Sequence, residues 1–292
     1  MSSSSASPST STWFITGCSG GFGRELVLAL LSRNQRVVAT ARKLDSIKDL
    51  EKKGAVLAQW DVTDELEVLQ KKAKEIDELV GGVGVVVNNA GFLVAGTFEE
   101  TSPADDHRQF DTNVFGFLNT TRAFLPLFRS RNSGTFVNIS SIAGVQGYGA
   151  SGLYCSSKFA IEGITESLAA EVSHLGIRCT IVEPGYFRTN FLGAGGPPKV
   201  VGSIADYHAV TEPMEAALNA YNGKQPGDPS KGSHLIIDAV LGEGWGKGKE
   251  LPLRLPLGPD AVATLEAKAR ENLKILEEWR EASASTNHED VV

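Results

Sequence analysis

The chain has little with which to build a disulfide framework. Its three cysteines, Cys18, Cys155 and Cys179, show no paired spacing, so they read as free thiols of a reducing compartment. The five histidines show no metal-ligand spacing, and no metal is expected. No apolar run approaches the roughly 20 residues that a membrane-spanning helix needs. Basic charge is scarce too. Lys and Arg number 28 against 35 Asp and Glu, a net charge of −7, which leaves no basic footprint for nucleic acid. Residues 1–11 are nearly all Ser, Thr, Ala and Pro. They lack the apolar stretch of a signal peptide, Ser2 stands where myristoylation needs glycine, and the segment reads as a disordered tail. The terminal Glu289-Asp290-Val291-Val292 matches no retention or peroxisomal signal. The expectation is a cytoplasmic protein.

What is present is an α/β pattern. The 292 residues, 41% hydrophobic and 22% charged, are enough for one sizeable domain. Short apolar strand segments lie at 12–16, 36–40, 55–59, 83–88, 134–139 and 177–182. Helical patterns lie between them at 21–33, 64–80, 103–131 and 152–174. This alternation predicts a parallel sheet with helices on both faces. Residues 186–228 read as an irregular binding loop, 229–241 as a helix, 242–249 as a flexible glycine loop and 251–257 as a last strand. The single domain spans 12–258, and 259–292 form a helical extension and tail.

Two motifs carry chemistry. Tyr154 and Lys158, in Tyr154-Cys155-Ser156-Ser157-Lys158, are four apart and so share one face of a helix. An ammonium beside a phenol favours the phenolate, which predicts a Tyr154 pKa lowered towards neutrality and a residue able to give or take a proton. Near the N-terminus, the run 12–16 leads into Gly17-Cys18-Ser19-Gly20-Gly21-Phe22-Gly23 and then a helix-forming segment. Strand, glycine turn and helix together are the context of a Rossmann-like, doubly wound dinucleotide-binding fold. Glycines let the backbone approach a pyrophosphate, and the helix N-terminus offers free amides.

The chain resembles the classical branch of the short-chain dehydrogenase/reductase family. The branch's Thr-Gly-x-x-x-Gly-x-Gly is matched by Thr16, Gly17, Gly21 and Gly23. Gly20 also fits the glycine spacing of the extended branch, and Asn88-Asn89-Ala90-Gly91 resolves this in favour of the classical one. The resemblance covers about residues 12 to 260. It implies catalysis by Ser141, Tyr154 and Lys158, with Ser140 the competing serine. It also implies Asn113 as a fourth catalytic residue, holding a helix kink and a water that relays protons to Lys158. Asp61 would bond the adenine, Val62 would pack on its ring, and Asn89, Ala90 and Gly91 would line the other side. Lys158 and Tyr154 would hold the nicotinamide ribose. Pro184, Gly185, Phe187 and Thr189 match the segment that contacts the nicotinamide amide.

The cofactor narrows further on the residues. The strand at 36–40 is followed by Ala41-Arg42-Lys43, with no acid to bond a ribose 2′-hydroxyl. Arg42 suits a 2′-phosphate, and Ser19 can add a hydroxyl. NADP(H) is expected over NAD(H). The expected pocket is apolar and aromatic: Leu93, Val145, Tyr148, Tyr186 and Phe191, with Phe92, Val94, Phe187 and Leu192, and with Tyr207, Met214 and Trp245 at its margin. The expected reaction is interconversion of a bulky hydrophobic ketone and its alcohol. The alternatives are an NAD-dependent dehydrogenase in the oxidative direction and a non-catalytic NADP-binding sensor. Helices 103–131 and 152–174 carry apolar residues beyond one core stripe, among them Phe115, Phe117, Phe124, Leu125, Ile161 and Leu168. Relatives pair these helices, so a homodimer is expected, or a tetramer.

Overall fold

A computed structural model of the chain describes residues 11–192 and 200–288. The expected tail at 1–10, the Gly195-Gly196-Pro197-Pro198 stretch and residues 289–292 lie outside the described residues, as does the Leu192 side chain. Seven strands form one sheet: β1 (Thr12–Ile15), β2 (Arg36–Ala41), β3 (Val56–Gln59), β4 (Val83–Asn88), β5 (Gly134–Ile139), β6 (Ile177–Pro184) and β7 (Arg254–Leu257). Their order is β3-β2-β1-β4-β5-β6-β7, and every neighbouring pair is parallel. Parallel neighbours require crossovers, which the helices supply. These are α1 (Gly21–Ser32), the single turn α2 (Lys48–Glu51), α3 (Leu66–Val80), α4 (Pro103–Phe110), α5 (Phe117–Arg131), α6 (Gly152–Val172), α7 (His208–Tyr221), α8 (Pro229–Leu241) and α9 (Pro259–Ala284).

The strands read as continuous apolar runs because both sheet faces are covered. Trp13 and Ile15 of β1 pack with Leu26, Leu30, Ile236 and Val240 of α1 and α8. Phe14, pointing the other way, packs with Leu69, Phe124, Phe128 and Leu168 of α3, α5 and α6. Each such buried side chain stabilises the fold by about 1.5–3 kcal/mol. The winding reverses between β1 and β4, and a crevice opens at their carboxyl ends.

Several expected elements differ. Segment 103–131 is not one helix. α4 ends at Phe110, a π-helical turn spans Asp111–Gly116, and α5 follows. A Cβ on Gly116 would press 2.8 Å from Val62 Cβ, so the wide turn fits only around a residue without one. Segment 186–228, expected to be irregular, contains α7. Only Thr211 of that helix is buried, and Pro213 interrupts its interior, so it lacks the wide buried face of a core helix. The glycine loop 242–249 is pinned rather than loose. Its Gly244–Gly246 turn packs on Asp238, whose Oδ2 accepts from Trp245 N at 3.2 Å. The last strand is shorter than 251–257. Finally, the apolar excess expected for pairing is mostly core: Phe117, Phe124, Ile161 and Leu168 are buried within the chain. Phe115 and Phe159, at 53% and 45% exposure, are the large apolar side chains those segments leave to solvent. No helix among the described residues is long and apolar enough to cross a membrane.

Candidate active site

A cleft of about 1110 Å³ runs along the carboxyl edge of the sheet. Its first wall is the glycine turn. Gly17 has φ +73°, a left-handed conformation that suits glycine. Gly17, Ser19, Gly21 and Phe22 line the cleft, whereas Gly23 does not. A Cβ on Gly23 would meet Asn89 Nδ2 and the Gly17 carbonyl at 2.5 Å each, so its lack of a side chain serves helix–strand packing. Gly20 caps α1 without a side-chain bond, and the first turn holds no acid. The first-turn amides therefore present partial positive charge to the cleft.

The second wall is the segment after β4. Asn89 Nδ2 donates to the carbonyls of Thr16 (2.8 Å) and Gly17 (3.2 Å). Thr16 Oγ1 accepts from the amides of Asn89 (2.9 Å) and Ala90 (3.0 Å). This stitching holds Asn89, Ala90 and Gly91 against the glycine turn, all three lining the cleft. At the far end stand Arg42, Lys43 and Ser46, with Asp61 and Val62 between. Arg42 and Lys43 are exposed, and neither forms a salt bridge among the described residues. Asp61 Oδ1 accepts from Thr63 N at 3.0 Å and Thr63 Oγ1 at 2.8 Å. A long crevice with free guanidinium, ammonium and uncapped helix amides can hold a dinucleotide. Lys43 and Ser46 were not singled out in the sequence, where a Lys and a Ser after a strand carry no signal of their own.

At the other end, Ser141, Tyr154 and Lys158 converge on the cleft. Ser141 follows β5, and its Oγ accepts from Ala143 N at 3.1 Å. Tyr154 lies in the first turn of α6. Burial pushes its hydroxyl well above its ordinary value, and a hydrogen bond with the Ser141 side chain opposes that shift. This corrects the expected direction. Lys158 Nζ sits 5.7 Å from the Tyr154 ring centroid, over the ring, and donates to the Ile139 carbonyl at 2.7 Å. Burial lowers Lys158 to about 8. Ser140 lines the cleft beside Ser141.

Asn113 stands behind the cleft rather than on it. Its Nδ2 donates to the Phe92 carbonyl (3.0 Å) and Ser157 Oγ (3.1 Å), and its Oδ1 accepts from Phe92 N (3.1 Å). Both amide protons are taken, so the side chain acts as a brace for the Phe92 loop and α6.

Pro184, Gly185, Phe187 and Thr189 line the cleft, as do Leu93, Tyr148, Tyr186, Phe191 and Met214. The Phe22 and Phe187 rings pack at 4.9 Å between centroids. Val145, which ends the short turn Ile142–Gly144, does not line it. Val94 is core, Trp245 is 75% exposed, and Tyr207 donates to Glu99 Oε2 at 2.7 Å on the surface. The residues missed are Ala217, Leu218 and Tyr221, presented by α7, together with Asn190 and Gln225. The i, i+3, i+4, i+7 spacing of Met214, Ala217, Leu218 and Tyr221 is the signal that marks them as one helix face.

A family model described as short chain dehydrogenase matches residues 11–197. The chain belongs to the short-chain dehydrogenase family. This short-chain dehydrogenase is 36% identical over 282 residues to "Oxidoreductase BOA17" of Botryotinia fuckeliana, covering 95% of this chain and 99% of that one. It is 39% identical over 188 residues to human "Retinol dehydrogenase 8", covering 62% of this chain and 60% of that protein. A solved short-chain dehydrogenase from Streptomyces avermitilis superposes with a TM-score of 0.86 at 36% identity, covering 96% of this chain and all of the other. The protein is an oxidoreductase.

Proposed function

We propose that this enzyme is NADP(H)-dependent and interconverts a bulky hydrophobic ketone and its secondary alcohol, with Tyr154 moving the proton. One observation carries the reading: a single cleft holds Arg42 and Lys43 at one end and Ser141, Tyr154 and Lys158 at the other. Bound NADP(H) supplies or accepts hydride. Residues Gly17 to Phe22 and the first turn of α1 would hold its pyrophosphate, and Arg42, Lys43, Ser19 and Ser46 its 2′-phosphate. Asp61 and Val62 would hold the adenine, with Asn89, Ala90 and Gly91 opposite. Lys158 would hold the nicotinamide ribose, and Pro184, Gly185, Phe187 and Thr189 the carboxamide end.

The remaining steps belong to the side chains. Burial keeps Tyr154 a phenol at neutral pH, which is the form that can donate to a carbonyl oxygen and release its proton as charge develops there. Ser141, oriented by the Ala143 amide, donates to the same oxygen and stabilises the developing charge. The apolar and aromatic walls, with Tyr148, Tyr186, Phe191 and the α7 face, suit a hydrophobic substrate. Phe115 and Phe159 are the surface we assign to a homodimer.

The test is cofactor consumption against a panel of hydrophobic ketones and alcohols, with NADPH and NADH side by side. Turnover favouring NADPH is expected. Tight NADPH binding without turnover of any panel member would turn the reading to a sensor. Preference for NADH with alcohols would turn it to an oxidative dehydrogenase.

A further inference from the structure

Behind Lys158, away from the cleft, lies a charge cluster for which the reaction as proposed has no use. Glu162 follows Lys158 by one helical turn on the same face of α6, and both residues are 4% exposed. Arg254, on β7, ion-pairs with Glu162, with Glu183 at 2.9 Å and with Glu166 at 2.7 Å. Glu183, on β6, is fully buried, and Glu166, on α6, is half exposed. One guanidinium thus faces two buried carboxylates and a third at the surface. It cannot neutralise both buried ones. Lys158, one helical turn earlier on the same face, forms no ion pair within 4 Å among the described residues, and Glu162 is the carboxylate whose charge acts on it.

The second oxygen of Glu162 supports this. Oε1 is buried and has no partner that meets hydrogen-bond geometry, and the same holds for Ser140 Oγ. A Cβ on Gly144 would lie 2.5 Å from Ser140 Oγ and 2.8 Å from Glu162 Oε1. The glycine therefore leaves open the space in which these two oxygens face each other. Ser140 sits on the cleft wall, so the cluster reaches from that wall through Glu162 and Arg254 to solvent at Glu166.

We infer that Glu162 is the buried counter-ion that holds Lys158 in its ammonium form, with Arg254 and Ser140 setting how much of the carboxylate's charge Lys158 receives. Glu162 is on this account a positioning residue, acting through Lys158, and the inference rests on the function proposed above. The charged groups facing Glu162 are Lys158 and Glu166 from its own helix, Glu183 from β6 and Arg254 from β7. Their effects are consistent with the assignment. Burial raises Glu162 to about 7, with Ser140 and Arg254 opposing and Glu183 adding to the rise. Burial lowers Lys158 to about 8, and Glu162 opposes that fall. Without Glu162, Lys158 would lose its proton at lower pH.

The test is the pH profile of ketone reduction by the full chain with NADPH. The Lys158 ammonium lies over the Tyr154 ring and is the group we assign to the nicotinamide ribose, so its loss of a proton is expected to set the alkaline limb. Glu162→Gln should move that limb to lower pH by about one unit. Glu162→Asp, which keeps the charge, should leave it near the parent's position. Ser140→Ala, which removes a group favouring ionised Glu162, should move it the same way by less, and serves if Glu162→Gln does not fold. A lowered melting temperature with the limb unmoved in both Glu162→Gln and Ser140→Ala would reduce Glu162 to a structural anchor and overturn the inference. Tyr154→Phe is run alongside. If it keeps its turnover, the proposed function falls. If it is inactive while the limb stays in place, only the counter-ion role falls.

Discussion

Lys158 donates to the carbonyl of Ile139 at 2.7 Å, and this bond joins the helix that carries Tyr154 to the strand end that carries Ser141. Ile139 is the last residue of β5, and Ser140 and Ser141 follow it directly. The separation of the two hydroxyls is therefore fixed by an ammonium–carbonyl bond in the protein interior as well as by packing. Lys158 is structural and chemical at once.

Tyr154→Phe should lower the turnover number by roughly a hundredfold to ten-thousandfold, the range of a lost general acid. NADPH affinity, read by fluorescence titration, should stay within about twofold, because the phenol bonds chiefly to the reacting oxygen. Near-normal turnover would remove Tyr154 from the reaction.

Lys158→Met should abolish turnover yet raise the melting temperature at pH 7. Burial holds Lys158 at about 8 against its ordinary 10.5. Below pH 8 the folded protein therefore carries a charge that the unfolded chain bears more cheaply, a difference of about 3 kcal/mol. Loss of the charge-assisted bond to Ile139 cancels about 1.5–3 kcal/mol of that, so the rise should be small. Glu162, already raised to about 7 by burial, can take up a proton when its neighbour is gone. The gain should shrink as pH rises from 8 towards 10.5, where the parent's lysine folds uncharged. Melting curves across that range check both the sign and the window.

Arg42→Ala should raise the Michaelis constant for NADPH by about tenfold or more and leave that for NADH nearly unchanged, since a charge-assisted bond to phosphate is worth about 1.5–3 kcal/mol. Equal effects on the two cofactors would sink the assignment. Lys43→Ala should act in the same direction, more weakly, because a point charge lacks the planar fork.

Leu218→Ala, on the cleft face of α7, should remove about 1–2 kcal/mol of apolar contact with a bulky ketone. The Michaelis constant for such a substrate should rise about tenfold. That for a small ketone, and that for NADPH, should not. If all three rise together, α7 supports the fold of the cleft instead of touching the substrate.

The sheet and the glycine turn were legible in the sequence because their signals are local. A buried parallel strand is a short apolar run, and strand, glycine turn and helix lie in one contiguous stretch. α7 was not, because a helix laid over a cleft buries little of itself: Thr211 alone is buried, and Pro213 disguises the rest. The direction of the Tyr154 shift was misread for a different reason. Four-residue spacing puts Lys158 on the same helix face, but where the ammonium goes is decided by the Ile139 carbonyl, which belongs to another element. Val145 was expected in the pocket as one of an apolar set, and apolar character alone does not tell a cleft-lining residue from its neighbours in the Ile142–Gly144 turn. The cluster around Arg254 could not be seen at all, since its members stand up to 92 residues apart in sequence.

The π-helical turn at Asp111–Gly116 has a consequence for how this segment can vary. Asn113 meets the Phe92 backbone with both its oxygen and its nitrogen, as a neighbouring strand would. Gln109, one turn earlier, does the same with the Val94 amide at 2.7 Å and the Phe92 carbonyl at 2.7 Å. Deleting one residue between them would restore a regular helix and swing Asn113 by about 100° around its axis. The loop over the cleft would then lose its ladder partner although no residue in the loop had changed. Outside Asn113 and Gly116, substitutions in 111–116 are therefore far better borne than any change in its length.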